Sequence, residues 1–216
     1  MSSSPPQGKA IAVFCGARAG VQAKYLQVAE KFGEALVRRG AGLVYGASGV
    51  GIMGAVAGAV STAGGSVTGV IPHHLYEREK PELACGNIYV VRSMHERKAL
   101  MYELSMGFAV LPGGLGTLDE LMEVATWNQL RIHEKPIVLL NQGGFFDPLN
   151  AMLDHVVAEG FLTQDERSAI RVTTDIEHAL DWLGLPSAPV PMALPADAPA
   201  PLQESLAELE SAQPAV

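Results

Sequence analysis

Two cysteines, Cys15 and Cys85, are all that the sequence offers for thiol chemistry, and they form neither a C-x-x-C pair nor a zinc spacing. A disulfide-stapled fold and a structural zinc site are therefore excluded. Two free thiols in an intracellular, cytoplasmic protein is the plain reading, with a single disulfide left open. Aromatic residues make up 6% of the chain, while glycine occurs 23 times, a balance that favours tight turns and close backbone approaches. Basic charge is also short: 15 Lys and Arg stand against 23 Asp and Glu, a net charge of −8. Such a chain has no overall field for nucleic acid or an anionic membrane, but a local site could still hold one phosphate. The start, MSSSPPQGKA, has no apolar run, so no secretory signal is expected.

Formal charge is missing altogether from residues 43–71, a stretch long enough to span a membrane. Eight glycines between 46 and 69 argue instead for a strand, a glycine loop, a helix, a turn and a second strand. What is present in quantity is apolar surface: 48% hydrophobic residues in 216 positions supply one substantial core. Residues 1–8 are Ser/Pro-rich and are expected to be a disordered tail. Residues 185–216 hold seven of the 14 prolines among many alanines and read as a second tail, with a possible short helix over 202–209. One domain is expected over residues 9–184.

Within it, short apolar runs alternate with helical patterns. Strands are expected at 10–15, 43–45, 66–71, 88–91, 108–111 and 137–140. Helices are expected at 21–39 (stopped by Gly40), 52–63, 93–105, 117–130, 147–159 (with Asp147 as N-cap) and 176–183. Near-continuous apolar strands alternating with helices predict an α/β protein whose doubly wound, mainly parallel sheet is covered on both faces. Ligands of such sheets bind beyond the carboxyl ends of the strands.

Three loops at such ends stand out. They read Gly16-Ala17-Arg18, then Gly46-Ala47-Ser48-Gly49-Val50-Gly51, then Pro112-Gly113-Gly114-Leu115-Gly116-Thr117. The second and third open helices, so backbone N–H groups and the helix dipole could receive a phosphate. Tight connection without a ligand is the competing reading for each loop. Neither loop is a P-loop, because no Gly-Lys-Ser/Thr follows. Gly54 and Gly58, four apart, suggest close helix–sheet packing. Glu120 stands three residues after Thr117 and completes a Thr-x-x-Glu capping box, worth about 1 kcal/mol. That role alone would account for it; a carboxylate facing a ribose is compatible with it. Ser93 and Glu96 form a second box, followed by Arg97 and Lys98 in a first turn, where cations oppose the dipole. An anion bound across this helix start would explain them, and so would a solvated basic pair offset by Glu96. His73 and His74 lack a third ligand at sensible spacing, so a metal site is not expected.

The segments Met94-His95-Glu96-Arg97-Lys98 and Pro112-Gly113-Gly114-Leu115-Gly116-Thr117-Leu118-Asp119-Glu120 resemble the signature of the Lonely Guy (LOG) family, long labelled lysine decarboxylases. Phe14-Cys15-Gly16, Val44-Tyr45-Gly46, Gly51-Ile52-Met53-Gly54 and Trp127-Asn128-Gln129-Leu130 agree with it, over residues 9–184. The resemblance implies a Rossmann-like three-layer fold, a homodimer, and no metal or organic cofactor. It implies hydrolysis of the N-glycosidic bond of N6-modified AMP to free base and ribose 5-phosphate. Arg97 and Glu120 match the family's catalytic pair. Gly16, Arg78, Glu79, Met94, Lys98, Gly113, Gly114, Gly116, Thr117 and Thr126 match its substrate contacts. Departures are Ala17 for a common serine, Gly46-Ala47-Ser48 for three glycines, Ser105-Met106-Gly107 for Ser-Asp-Ala, and Leu115 for a tyrosine. Two other functions stand beside this one. A non-catalytic nucleotide carrier would use the same loops, and a decarboxylase would need pyridoxal phosphate on a lysine, for which Lys98 is the one lysine in the motifs.

Overall fold

The structure, a computed structural model, describes residues 9–76 and 86–187. The proposed tail helix at 202–209, Cys85, Arg78 and Glu79 lie outside these residues. The apolar runs form β1 (Ala10–Phe14), β2 (Gly42–Tyr45), β3 (Val67–Pro72), β4 (Asn87–Val91), β5 (Gly107–Val110), β6 (Ile137–Leu140) and β7 (Ile170–Thr173). Between them lie α1 (Lys24–Arg38), α2 (Gly51–Thr62), α3 (Met94–Glu103), α4 (Leu115–Gln129), α5 (Asp147–Ala158), α6 (Gln164–Ser168) and α7 (Ile176–Trp182).

The seven strands pair in the order β4-β3-β2-β1-β5-β6-β7, every pairing parallel. Alternation along β1 shows how both faces are filled. Ile11 and Val13, with Cys15 just beyond the strand, point to one face, where Phe32, Val56 and Leu180 of α1, α2 and α7 cover them. Ala10, Ala12 and Phe14 point to the other, against Met101 of α3, Leu121 of α4 and Leu153 of α5. The result is the expected three-layer α/β sandwich, doubly wound about β1. The uncharged stretch 43–71 is β2, α2 and β3, and no described helix is long and apolar enough to cross a membrane.

The chain moves outward from β1 to β4, then returns to lay β5 on the other side of β1. The carboxyl ends of β1 and β5 therefore diverge at a topological switch point, where open α/β sheets keep their ligand crevice. The loops there are tied together: the Gly16 amide donates to the Pro112 carbonyl at 3.0 Å, and the Met53 amide of α2 donates to the Gly16 carbonyl at 3.2 Å.

Several expectations are corrected. α4 starts at Leu115 with Gly114 as N-cap and no side-chain cap, so Thr117 and Glu120 form no capping box. Glycine reaches the extended cap conformation easily, and this moves the helix start two residues upstream. Asp147 is the first residue of α5 rather than its cap; its carboxylate accepts from Asn141 Nδ2 at 2.7 Å. The Ser93 box is half made: Ser93 Oγ accepts the Glu96 amide, but the Glu96 carboxylate turns to the Arg92 amide. Gly54 and Gly58 do not face the sheet. They lie with Glu30 and Glu34 along an outer groove between α1 and α2.

Candidate active site at the sheet switch point

Arg97 reaches the site from the fourth residue of α3. The half-made cap at Ser93 sets the helix direction, and the side chain runs inward beneath the carboxyl end of β3, where it is 7% exposed. Its Nε donates to the Val70 carbonyl at 3.1 Å. Its NH1 stands 3.3 Å from Glu120 Oε1. Glu120 approaches from α4, one and a half turns from the helix start, and is 4% exposed. Burial pushes its carboxyl up to about 7, outweighing the lowering effect of the Arg97 guanidinium; Asp119 and Glu123 add to the rise. Burial, with Glu120 beside it, also pushes the Cys15 thiol above its ordinary range.

Two glycines make this arrangement possible. A methyl on Gly46 would collide with the Arg97 NH2 and crowd the Met53 sulfur, so residue 46 must be bare for the guanidinium to reach Glu120. A methyl on Gly113 would strike Thr117 Oγ1 and the Gly16 amide, so the first and third loops close on each other only through glycine. Between them, Ala47 occupies a left-handed conformation (φ 61°) that the three-glycine loop of the LOG pattern would adopt without strain.

The three loops enclose a cavity of about 680 Å³. Gly16, Met94, Arg97, Gly113, Gly114, Gly116, Thr117 and Glu120 all line it. The side chains of residues 97 and 120 thus share one cleft. Lys98 and Thr126 are placed elsewhere. Lys98 Nζ pairs with Asp119 at 3.1 Å and Glu123 at 3.2 Å, and Thr126 Oγ1 donates to the Met122 carbonyl at 2.7 Å. The anions that balance the cations of α3 are thus carboxylates of α4. Among the described residues, no group of three His, Cys, Asp or Glu could hold a metal ion.

The sequence reading missed the apolar half of the cavity. Tyr25 and Phe145 meet edge to face, ring centroids 5.7 Å apart, and Ile71, Leu75 and Met53 complete the wall. Phe145 follows β6, and the rule that ligands sit beyond strand ends would have pointed to it. Tyr25 lies in the first turn of α1, whose face toward the cavity carries no motif.

These features define a Rossmann-like α/β protein with a small-ligand cavity at its switch point, polar at the α4 end and apolar opposite. Comparison with known proteins agrees. A family described as "Possible lysine decarboxylase" matches residues 53–183. The chain is 46% identical over 178 residues to a cytokinin riboside 5′-monophosphate phosphoribohydrolase of Rhodococcoides fascians, covering 81% of this chain and 89% of that protein. It is 48% identical over 160 residues to the enzyme LOG of Oryza sativa subsp. japonica, covering 74% and 66%. The chain belongs to the LOG family. Solved structures with the same fold include the Moco carrier protein of Chlamydomonas reinhardtii (TM-score 0.59, 19% identity, covering 81% of this chain and 94% of that one). Another is the molybdenum cofactor binding protein of Rippkaea orientalis (TM-score 0.61, 20% identity, covering 82% and 95%). At that identity they speak for the fold alone.

Proposed function

We propose that the protein hydrolyses the N-glycosidic bond of N6-modified adenosine 5′-monophosphate, releasing the free base and ribose 5-phosphate. The observation that carries this reading is the buried Arg97–Glu120 pair facing the same cavity as a helix start without a side-chain cap. The identity to curated phosphoribohydrolases supports it.

In this reading the 5′-phosphate takes the amides at Gly113–Thr117 and the dipole of α4. Glu120 lies five residues beyond Leu115, about 8 Å along the helix axis at 1.5 Å per residue. A ribose bridges such a distance, with its anomeric carbon toward the carboxylate. The base then occupies the apolar half, where Tyr25, Phe145 and Leu75 suit a purine with an apolar N6-substituent.

N-glycoside cleavage develops positive charge on the ribose and negative charge on the departing base. Ionised Glu120 stabilises the cation and accepts a proton from the water whose oxygen bonds to C1′. The C1′–N9 electron pair leaves with the base, which takes up a proton. Arg97 holds the carboxylate in place and opposes the charge on the base. Because Glu120 must be ionised, kcat/KM rises with pH through about 7. Met94 and Gly16 shape the cavity; Lys98 and Thr126 act through α3 and α4. Arg78 and Glu79 complete the substrate contacts by resemblance. The working form is proposed to be a cytoplasmic homodimer, for which exposed Leu130 and Ile132 beyond α4 offer apolar surface.

Incubation with N6-isopentenyl-AMP and with AMP, followed by assay of free base and ribose 5-phosphate, tests the proposal. Saturable binding without base release would replace it with the carrier reading. A decarboxylase finds little support, since Lys98 is engaged by Asp119 and Glu123 rather than lining the cavity.

A further inference from the structure

Two cations line the cavity among the described residues, and their situations differ. Arg97 is already engaged, by the Val70 carbonyl and by Glu120, so its charge is balanced locally. Arg18 is exposed, and its guanidinium makes no hydrogen bond or ion pair with any described residue. Its backbone is nonetheless fixed. The Arg18 carbonyl lies against Gly16, and the Ala17–Arg18 peptide lies against Gly51 at the start of α2. Gly16 is itself bonded to Pro112 at the approach to α4. Arg18 is thus carried on a rigid turn between the starts of two helices, both of which disfavour a cation. No described carboxylate offsets it. Glu120, the one acid among the described residues lining the cavity, belongs to Arg97.

We infer that Arg18 binds the 5′-phosphate of the substrate and is the residue by which this site separates nucleoside monophosphates from nucleosides. The inference rests on the proposed reading for the kind of substrate, and on the charge distribution of the cavity for the role of Arg18. With Arg97 set against Glu120, Arg18 is the cation among the described lining residues that has no carboxylate beside it. A phosphate monoester near pH 7 carries about −1.5 to −2, more than helix amides alone neutralise. A guanidinium presents two parallel N–H groups to a phosphate and binds it as a fork, which an ammonium does not. Exposure leaves the side chain free to meet the phosphate as it enters.

Calorimetric titration of wild type, Arg18→Ala and Arg18→Lys with AMP and with adenosine tests this without requiring turnover. In Arg18→Ala, AMP affinity is expected to fall about 10- to 100-fold, the range of one charged hydrogen-bonding contact. Adenosine affinity should stay within about twofold by the same argument, because the lost contact is to phosphate. Arg18→Lys should recover part of the loss. Raising ionic strength should weaken AMP binding more in wild type than in Arg18→Ala. Melting temperatures should match, since the side chain has no described partner to lose. Unchanged AMP affinity in Arg18→Ala, or an equal loss for AMP and adenosine, would overturn the assignment. Base release by wild type is read separately. Phosphate-dependent binding through Arg18 with no base released would leave this inference standing and remove the hydrolase.

Discussion

Two arginine–carboxylate clusters of this molecule are built from the same groups to opposite ends. Where α1 meets α7, Arg39 donates to Glu177 at 3.1 Å, to Asp181 at 2.7 Å and to the Leu185 carbonyl, while Arg38 adds a bond to Glu177. Both Glu177 oxygens, one Asp181 oxygen and the Leu185 carbonyl accept bonds here, and the hydrogen bonds from Arg39 hold the Glu177 carboxyl below its usual range. In the cavity, one Arg97 nitrogen faces Glu120 at 3.3 Å, and no hydrogen bond from a described residue reaches that carboxyl, whose pKa is pushed up to about 7. Both clusters join distant parts of the chain. A saturated cluster at the surface can only hold; an undersaturated one in a cavity keeps lone pairs and charge for something else.

Removing the cavity charge should give the largest effect. Glu120→Gln keeps the shape and deletes the carboxylate, and turnover of N6-isopentenyl-AMP should fall about 10²- to 10³-fold, the range for one preorganised electrostatic group. The rise of kcat/KM through about pH 7 should vanish from the residual activity. Stability moves the other way. Burial sets the folded-state pKa above the unfolded one, so the contribution of Glu120 is fully present below the ordinary carboxylate range and is lost as pH rises through about 7. The variant should therefore melt no lower than wild type at pH 8, and its melting temperature should decline less between pH 5 and 8. Wild-type turnover in this variant would remove Glu120 from the mechanism.

A subtler break leaves both charges in the chain and separates them. Gly46→Ala places a methyl where the Arg97 terminal nitrogen lies. Pushed off Glu120, the guanidinium no longer lowers that pKa. Cys15 on the β1 side and Asp119, Glu123 and Lys98 on α3 and α4 remain as its titratable surroundings. The acid limb of kcat/KM should move to higher pH, with kcat down at least about tenfold and KM changed less. An unshifted limb would show that Arg97 does not tune Glu120.

The sequence carried the fold further than it carried the site. Apolar runs of three to six residues announced six of the seven strands described. β7 was missed because Ile-Arg-Val-Thr is an edge strand with one fully buried residue. Its neighbour α6 did leave a signal, since Thr163 and Glu166 form a complete capping box, but five residues give no helical period to notice. In the site, the polar residues were legible because phosphate chemistry demands glycines and charge in fixed spacing. The apolar wall was not, because Tyr25 and Phe145 look like any core residues until the loops are placed together. Glu120 was legible as a residue but not in its state. Thr-x-x-Glu suggested a cap and an ionised side chain, whereas the helix starts at Leu115 and leaves that carboxyl buried and hard to ionise.

The saturated cluster can be broken in the same manner, and the expected consequence is smaller and confined to stability. Arg39→Ala removes the bonds that tie the end of α1 to Glu177, Asp181 and the Leu185 carbonyl. The Arg39 side chain is largely enclosed, but Glu177 and Asp181 are about half exposed, so water replaces much of what they lose. A loss of about 1–2 kcal/mol in denaturant unfolding is expected, with kcat and KM unchanged. Arg38→Ala removes one pair between side chains that are 60% and 51% exposed, and should change stability by less than about 0.5 kcal/mol. The order of these two values is the sharper test. If Arg38→Ala cost as much as Arg39→Ala, enclosure and the bond to the Leu185 carbonyl would not be what makes the Arg39 cluster hold. The contrast with Arg97 would then rest on position in the molecule rather than on how completely each cluster is satisfied.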